Sequence, residues 1–339
     1  MISCINLLGG NNMNQTQDFT KGVIWKQLLF FFFPILIGSF FQQLYNTVDT
    51  IIVGQTVGTS ALAAVGSTGN LTNLIINFYV GLSTGASVVI AQYYGAQNNK
   101  KIHQAVHTSY SLAIVSGILM MLFGLFFSYQ CLDAIGTPHD ILNDATLYMQ
   151  LYFLCMIPGA IYNIGAGILR AVGDSKRPLY YLIVCSIVNV VFDFIFVVIF
   201  HQGIAGAAIA TVIAQSVCAI LVTIQLMRTN EVYKLTLSKM KFHLPVLKKI
   251  IMIGAPAGIQ STMYSISNIV LQSHINAFGT QTIASWSVYV KIDALFWMMI
   301  AAIGAAITTF SGQNYGAHLH DRIKKGTRTA LAMAFVMTI

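Results

Sequence analysis

The chain has 339 residues, of which 56% are hydrophobic and only 8% charged, and its mean hydropathy is +0.72. A soluble domain carries about 25% charged residues and must expose surface in step with its size, so this composition excludes a soluble globular protein. The formal net charge of +8 raises nucleic acid as a partner until the placement of the basic residues is examined.

Residues 1–20 are polar and expected to be disordered; they lack the basic region, short apolar stretch and cleavage site of a signal peptide. Met13 is an alternative start. Apolar helices are then expected at 24–53, 59–93, 104–129, 144–170, 179–200, 204–227, 246–275 and 280–310, with a ninth beginning near 326. The first eight are the right length, roughly 20 residues or more each, for predominantly apolar segments that cross a bilayer. The fold class is therefore an all-α polytopic membrane protein.

Lys and Arg alternate between the connections. They cluster at Lys21 and Lys26, at Lys100 and Lys101, and at Arg170, Lys176 and Arg177. They return from Arg228 to Lys249 and again from Arg322 to Arg328. The intervening connections, at 53–59, 130–144, 201–203 and 277–281, have none, and only Lys291 falls inside a helix. The positive-inside rule places the N-terminus and the basic connections in the cytoplasm of a plasma (inner) membrane. This also accounts for the net charge without nucleic acid. Five cysteines show no metal-ligand spacing, and Cys155, Cys185 and Cys218 sit in apolar runs as small apolar residues. No cofactor is implied.

An internal repeat is visible. Gly58-Thr59-x-x-Leu62-Ala63 matches Gly279-Thr280-x-x-Ile283-Ala284, and Gln92-x-x-Gly95-Ala96 matches Gln313-x-x-Gly316-Ala317, both pairs 221 residues apart. Pro34 and Pro256 are 222 apart. Six helices separate the copies, so both have the same orientation in the membrane. The second copy stops about halfway; completing it would add roughly 120 residues.

Three carboxylates fall in apolar helices: Asp49, Asp193 and Asp293. A charge at mid-bilayer costs roughly 2.5–3.5 kcal/mol or more, so such groups face a bundle interior or a wet cavity. Gln42, Tyr45, Asn46 and Asp49 share one helix face, opposite Phe40, Leu44, Val48 and Ile51. Asn189 and Asp193 are one turn apart. A carboxylate with an amide oxygen suits a hard cation such as Na⁺ or a hydrated proton, and Thr211 adds a hydroxyl, with Gln215 a turn beyond. The bland reading of these groups is hydrogen bonding between helices. Asn70, Asn73 and Asn77 form a second stripe, and Gln260 and Tyr264 belong to a third; cavity lining and polar glue are both open for them. Lys291 and Asp293, two apart, do not share a face. Pro34 lies 15 residues before Asp49 and allows that helix to bend, a plausible gate, and Pro256 holds the matching place.

The order and spacing of these motifs resemble the multidrug and toxic compound extrusion (MATE) family. The features are Pro34 with Gln42-Gln43-x-x-Asn46-x-x-Asp49-x-x-x-x-Gly54, the two Gln-x-x-Gly-Ala signatures, Leu169-Arg170-Ala171-x-Gly173-Asp174-x-Lys176-x-Pro178, and Asn189-x-x-x-Asp193 followed by Gly203-x-x-Gly206-Ala207-Ala208-x-x-Ala210-Thr211. The resemblance implies two six-helix lobes around a central cavity and export of organic cations or amphipathic drugs in antiport with H⁺ or Na⁺. In its DinF-like branch, the cation site would fall on Asp49, Asn189, Asp193 and Thr211. Where the NorM-like branch has a glutamate, this chain has Tyr264. The expected domains are a six-helix N-lobe at 21–229, a linker at 230–245 and a partial C-lobe at 246–339. The expected partners are the bilayer and small amphipathic or cationic substrates, with the protein a monomer.

Two other readings compete. A lipid-linked oligosaccharide flippase would need cationic cavity residues, and the candidates are acidic or neutral apart from Lys291. A membrane enzyme would need a motif such as HExxH, which does not occur, or a nucleophile elbow at a strand-to-helix turn, which an all-α chain does not offer.

Overall fold

The computed structural model describes residues 16–276 and 280–338, which leaves part of the turn expected at 277–281 outside. Among the described residues there is no strand. The helices are α1 (Ile24–Thr56), α2 (Thr59–Gly95), α3 (Asn99–Ala134), α4 (His139–Phe153), α5 (Met156–Ala171), α6 (Lys176–Asp193), α7 (Gly203–Arg228), α8 (Leu244–Asn276), α9 (Thr280–Gly316) and α10 (His320–Thr338). Six of the described helices are long and apolar enough to cross a membrane, or seven if α4 and α5 count as one bent span. Their outer faces carry bare apolar side chains, including Phe30, Phe126 and Ile187. Lipid covers such a face at no cost, whereas water would drive it to aggregate.

The single helix expected at 144–170 is two helices that meet at a 44° bend. Pro158 is the cause. Its nitrogen has no hydrogen to give the Leu154 carbonyl, and its ring crowds that carbonyl. The end of α4 closes instead with tighter turns, Leu154 N–H to Leu151 O at 3.1 Å and Cys155 N–H to Tyr152 O at 2.9 Å. Pro158 itself falls in the first turn of α5, where a missing donor is tolerated.

The repeated signatures meet face to face where α2 crosses α9. A Cβ on Gly95 would lie 1.9 Å from the Gln313 carbonyl oxygen, and a Cβ on Gly316 would lie 1.9 Å from that of Gln92. The contact is reciprocal, so the copies are related here by a local two-fold. α2 also meets α8 through glycines. A Cβ on Gly81 would lie 2.2 Å from Gly258 N, and one on Gly85 would lie 2.6 Å from Gly254. Both pairs are Gly-x-x-x-Gly, the spacing that lets two helix backbones touch within a membrane.

Residues 16–20 depart from the expected disorder. Phe19 is fully buried, with its ring edge-on to Phe31 at 5.1 Å and to Phe310 at 5.8 Å. Its N–H donates to Gln313 Oε1 at 3.1 Å, and its carbonyl accepts from Asn314 Nδ2 and Arg322 Nε. Gln17 N–H donates to Gly173 O at 3.1 Å. Gly173 has φ +92°, and any side chain there would strike Gln17. One buried aromatic ring and these hydrogen bonds outweigh the polar composition of the segment, which ties α1, the α5–α6 connection, α9 and α10 together.

Candidate cation site and cavity

Asp193 is the last residue of α6, and the chain then continues into a π-helical segment, Phe194–Ile199. Such segments concentrate at functional sites. The carboxylate of Asp193 is fully buried, and neither oxygen has a hydrogen-bond partner. Asn189, one turn earlier, is also buried. Its Nδ2 donates to Thr211 Oγ1 at 3.5 Å, while its Oδ1 has no partner. Thr211 gives its own hydrogen to Ala207 O at 3.1 Å. Asp49 approaches from α1, which packs on α6. Its Oδ1 is buried without a partner, and its charge is felt at Asp193. Buried polar atoms are normally satisfied, so this group of orphaned oxygens is unusual.

An apolar collar closes one side. Val53, Val197, Ala207 and Ala208 lie about one turn from Asp49, Asp193 and Thr211 and pack with Tyr148 and Ile204. Tyr148 and Tyr152 of α4 stack with centroids 6.1 Å apart. The Asp49 charge reaches both phenols, and that of Asp193 reaches Tyr148. These tyrosines do not stand out in the sequence, although their one-turn spacing is a visible sign. Tyr45, also on α1, is partly buried.

Two turns along α1 from Asp49, a cavity of about 100 Å³ opens. Pro34, Gly38 and Gln42 of α1 line it with Tyr162, Asn163 and Arg170 of α5 and Gln215 of α7. It thus unites three residues expected to matter, Pro34, Gln42 and Gln215. Helix α1 runs unbroken through Pro34. Asn46, between the cavity and Asp49, is exposed.

The remaining candidates sit elsewhere. Asn77 Nδ2 donates to Ser265 Oγ at 3.0 Å and so joins α2 to α8 as polar glue. Gln260 and Tyr264 are exposed on α8, where the Tyr264 ring lies 5.2 Å from that of Trp297. Pro256, also on α8, sits between the two glycines that touch α2, and Asp293 is partly exposed on α9. The side chains of Asn70, Asn73 and Lys291 lie outside the described residues. Among the described residues no three His, Cys, Asp or Glu side chains gather as a metal site. Two carboxylates with neutral amide and hydroxyl oxygens fit a small hard cation or a proton better than a softer metal.

Comparison with known proteins agrees with this architecture. The family model described as MatE matches residues 34–195 and 256–339. The probable multidrug resistance protein YoeA of Bacillus subtilis is 28% identical over 331 residues, which cover 95% of this chain and 71% of the relative. The multidrug export protein MepA of Staphylococcus aureus (strain NCTC 8325) is 22% identical, over 96% of this chain and 71% of its own. A solved structure titled as MATE in the bent conformation superposes with a TM-score of 0.87 at 26% identity, covering 94% of this chain and 71% of that one. One titled as MATE in the straight conformation gives a TM-score of 0.89 at 26% identity, covering 96% and 72%.

Proposed function

The chain belongs to the MatE family of multidrug efflux transporters, which are not enzymes, and on that premise we propose that it exports organic cations or amphipathic drugs in antiport with H⁺ or Na⁺. The observation that carries the coupling is the orphaned oxygen set of Asp49, Asn189 and Asp193 beside Thr211. Outward-facing protein takes a cation there. Neutralising the carboxylates removes their cost of burial and favours a bend of α1 at Pro34. The bend narrows the cavity lined by Gln42 and Gln215 and expels the drug. Coupling requires only that drug and cation favour different states. The relatives' solved structures, titled bent and straight, support two states of the fold. The N-terminus faces the cytoplasm of the plasma membrane, and the protein works as a monomer.

The test is ethidium efflux from cells expressing wild type or Asp49→Asn at equal levels. Loss of efflux in the variant supports the proposal. Equal efflux against the gradient from both proteins removes Asp49 from the coupling step.

A further inference from the structure

The connection between α7 and α8 reads in the sequence as a cytoplasmic linker, and its lysines as signals of topology. Between residues 230 and 245 it carries Lys234, Lys239 and Lys241 against a single acid, Glu231. The structure gives this linker two sides. Tyr233 and Leu235 are buried and pack inward with Met240. Leu237, Phe242 and Leu244 are bare on the outer side, Leu244 at 73% exposure. They interleave with Lys239 and Lys241, which are also exposed.

The linker is pinned to the flank of α3. His107 Nε2 accepts the Thr236 N–H at 3.1 Å, and Thr108 Oγ1 accepts the His243 N–H at 3.2 Å. These anchors fix its depth. α3 has 36 residues and is therefore about 54 Å long. Centred on a hydrocarbon core of about 30 Å, it overshoots by about 12 Å at each end, or about eight residues. Counted from Asn99, the core begins near His107 and Thr108, so the pinned linker lies where hydrocarbon gives way to headgroups. A bare leucine or phenylalanine at that level is covered by acyl chains, while lysine stems reach outward to the phosphates. The positive-inside rule asks only for the charges. It does not ask for three bare apolar side chains among them.

We propose that this linker is a docking strip for anionic phospholipids of the cytoplasmic leaflet. Leu237, Phe242 and Leu244 enter the acyl boundary, and Lys239 and Lys241 hold the headgroup phosphates. The strip continues the apolar outer surface of the helices, which lipid already covers. Such docking requires only that the chain crosses a bilayer, and it goes beyond the exporter reading.

The test uses the full chain carrying Phe242→Trp, reconstituted in bilayers of phosphatidylcholine and phosphatidylglycerol. One lipid and then the other carries bromine on its acyl chains, at the same mole fraction, and bromine quenches a tryptophan that it touches. The signal is read as the difference from the unaltered chain, which holds Trp25, Trp286 and Trp297. Both bromolipids are expected to quench it. The local affinity for phosphatidylglycerol should exceed that for phosphatidylcholine about fivefold or more, the scale of one lysine near a charged surface. Lys239→Gln together with Lys241→Gln should bring the ratio to about one, and salt at about 1 M should lower it in the chain that keeps both lysines. All three positions are exposed, so these changes should leave the fold intact. Absence of quenching by either lipid puts the strip in water and overturns the proposal. Equal quenching by the two lipids, or a ratio indifferent to the lysines, overturns it as well. No step of the reading involves transport. A lack of ethidium efflux therefore sinks the exporter and leaves the docking strip standing, whereas efflux with a ratio near one sinks the strip alone.

Discussion

Helices α1 and α8 occupy matching places in the two copies of the repeat, and they have been put to different use. Both continue through a proline, Pro34 or Pro256. Counting from those prolines, Gln42 matches Tyr264, Asn46 matches Asn268, and Asp49 matches Leu271. Pro34 lines a cavity, whereas Pro256 is set between Gly254 and Gly258, whose backbones touch α2. The first copy therefore combines a carboxylate with room to move, and the second combines an apolar residue with a tight glycine seam. The backbone repeat supplies two equivalent frames, and substitutions within them leave a carboxylate at this position in only the first.

The largest effect that would break this comparison is at the N-terminal strap. Phe19 precedes α1 and is fully buried, whereas Phe242 precedes α8 and is 43% exposed. Phe19→Ala should cost about 3–5 kcal/mol, and Phe242→Ala no more than about 0.5 kcal/mol, in the unfolding of detergent-solubilised protein. Equal losses would mean that the segments leading into α1 and α8 are anchored alike. The next effect separates the carboxylates. Asp193→Asn should lower ion-driven ethidium efflux about 5- to 150-fold, the range of a typical coupling energy. Asp293→Asn, on a partly exposed stretch of α9, should change it less than about twofold. A reversal would move the coupling site into the second copy. The crossing of α2 and α9 should instead show symmetry. Gly95→Ala and Gly316→Ala each drive a methyl into a carbonyl and should each cost about 1–3 kcal/mol, with closely similar melting points. Unequal costs would break the local two-fold.

Much of this was legible in the chain. Apolar runs of the right length gave the spans, and the glycine and glutamine signatures marked the repeat, because a backbone seam tolerates little else. Asp49, Asn189 and Asp193 stood out because a carboxylate in an apolar run has few excuses. The misses have physical reasons. Pro158 gives no sequence signal of a break because membrane helices often tolerate proline, and only packing decides whether one bends. Phe19 is lost in a polar segment, since a single aromatic makes no periodic pattern. Arg170 counts as a loop cation because charge at a helix end normally points to water. Tyr148 and Tyr152 read as ordinary aromatic residues until α1 and α6 bring the two aspartates to them.

The smallest effect contrasts two buried carboxylates, Asp193 without partners and Asp174 with several. Asp174 accepts two backbone N–H groups and pairs with Arg177, which caps the start of α6. Burial still raises its carboxyl above the usual carboxylate value, although those bonds and the Arg177 and Lys176 charges pull it down. A raised acid binds its proton more tightly in the folded state. Its contribution is therefore fully present below the ordinary value of about 4 and is lost as pH rises through the raised value. Asparagine keeps the capping oxygen and cannot ionise. Asp174→Asn should therefore stay within about 1 kcal/mol of wild type, and its melting point should gain on wild type as pH rises from about 4 towards 7. A series of melting curves across that range checks the sign. If the variant instead loses ground as pH rises, the Arg177 pair outweighs burial, and Asp174 is a stabilising charge rather than a tolerated one.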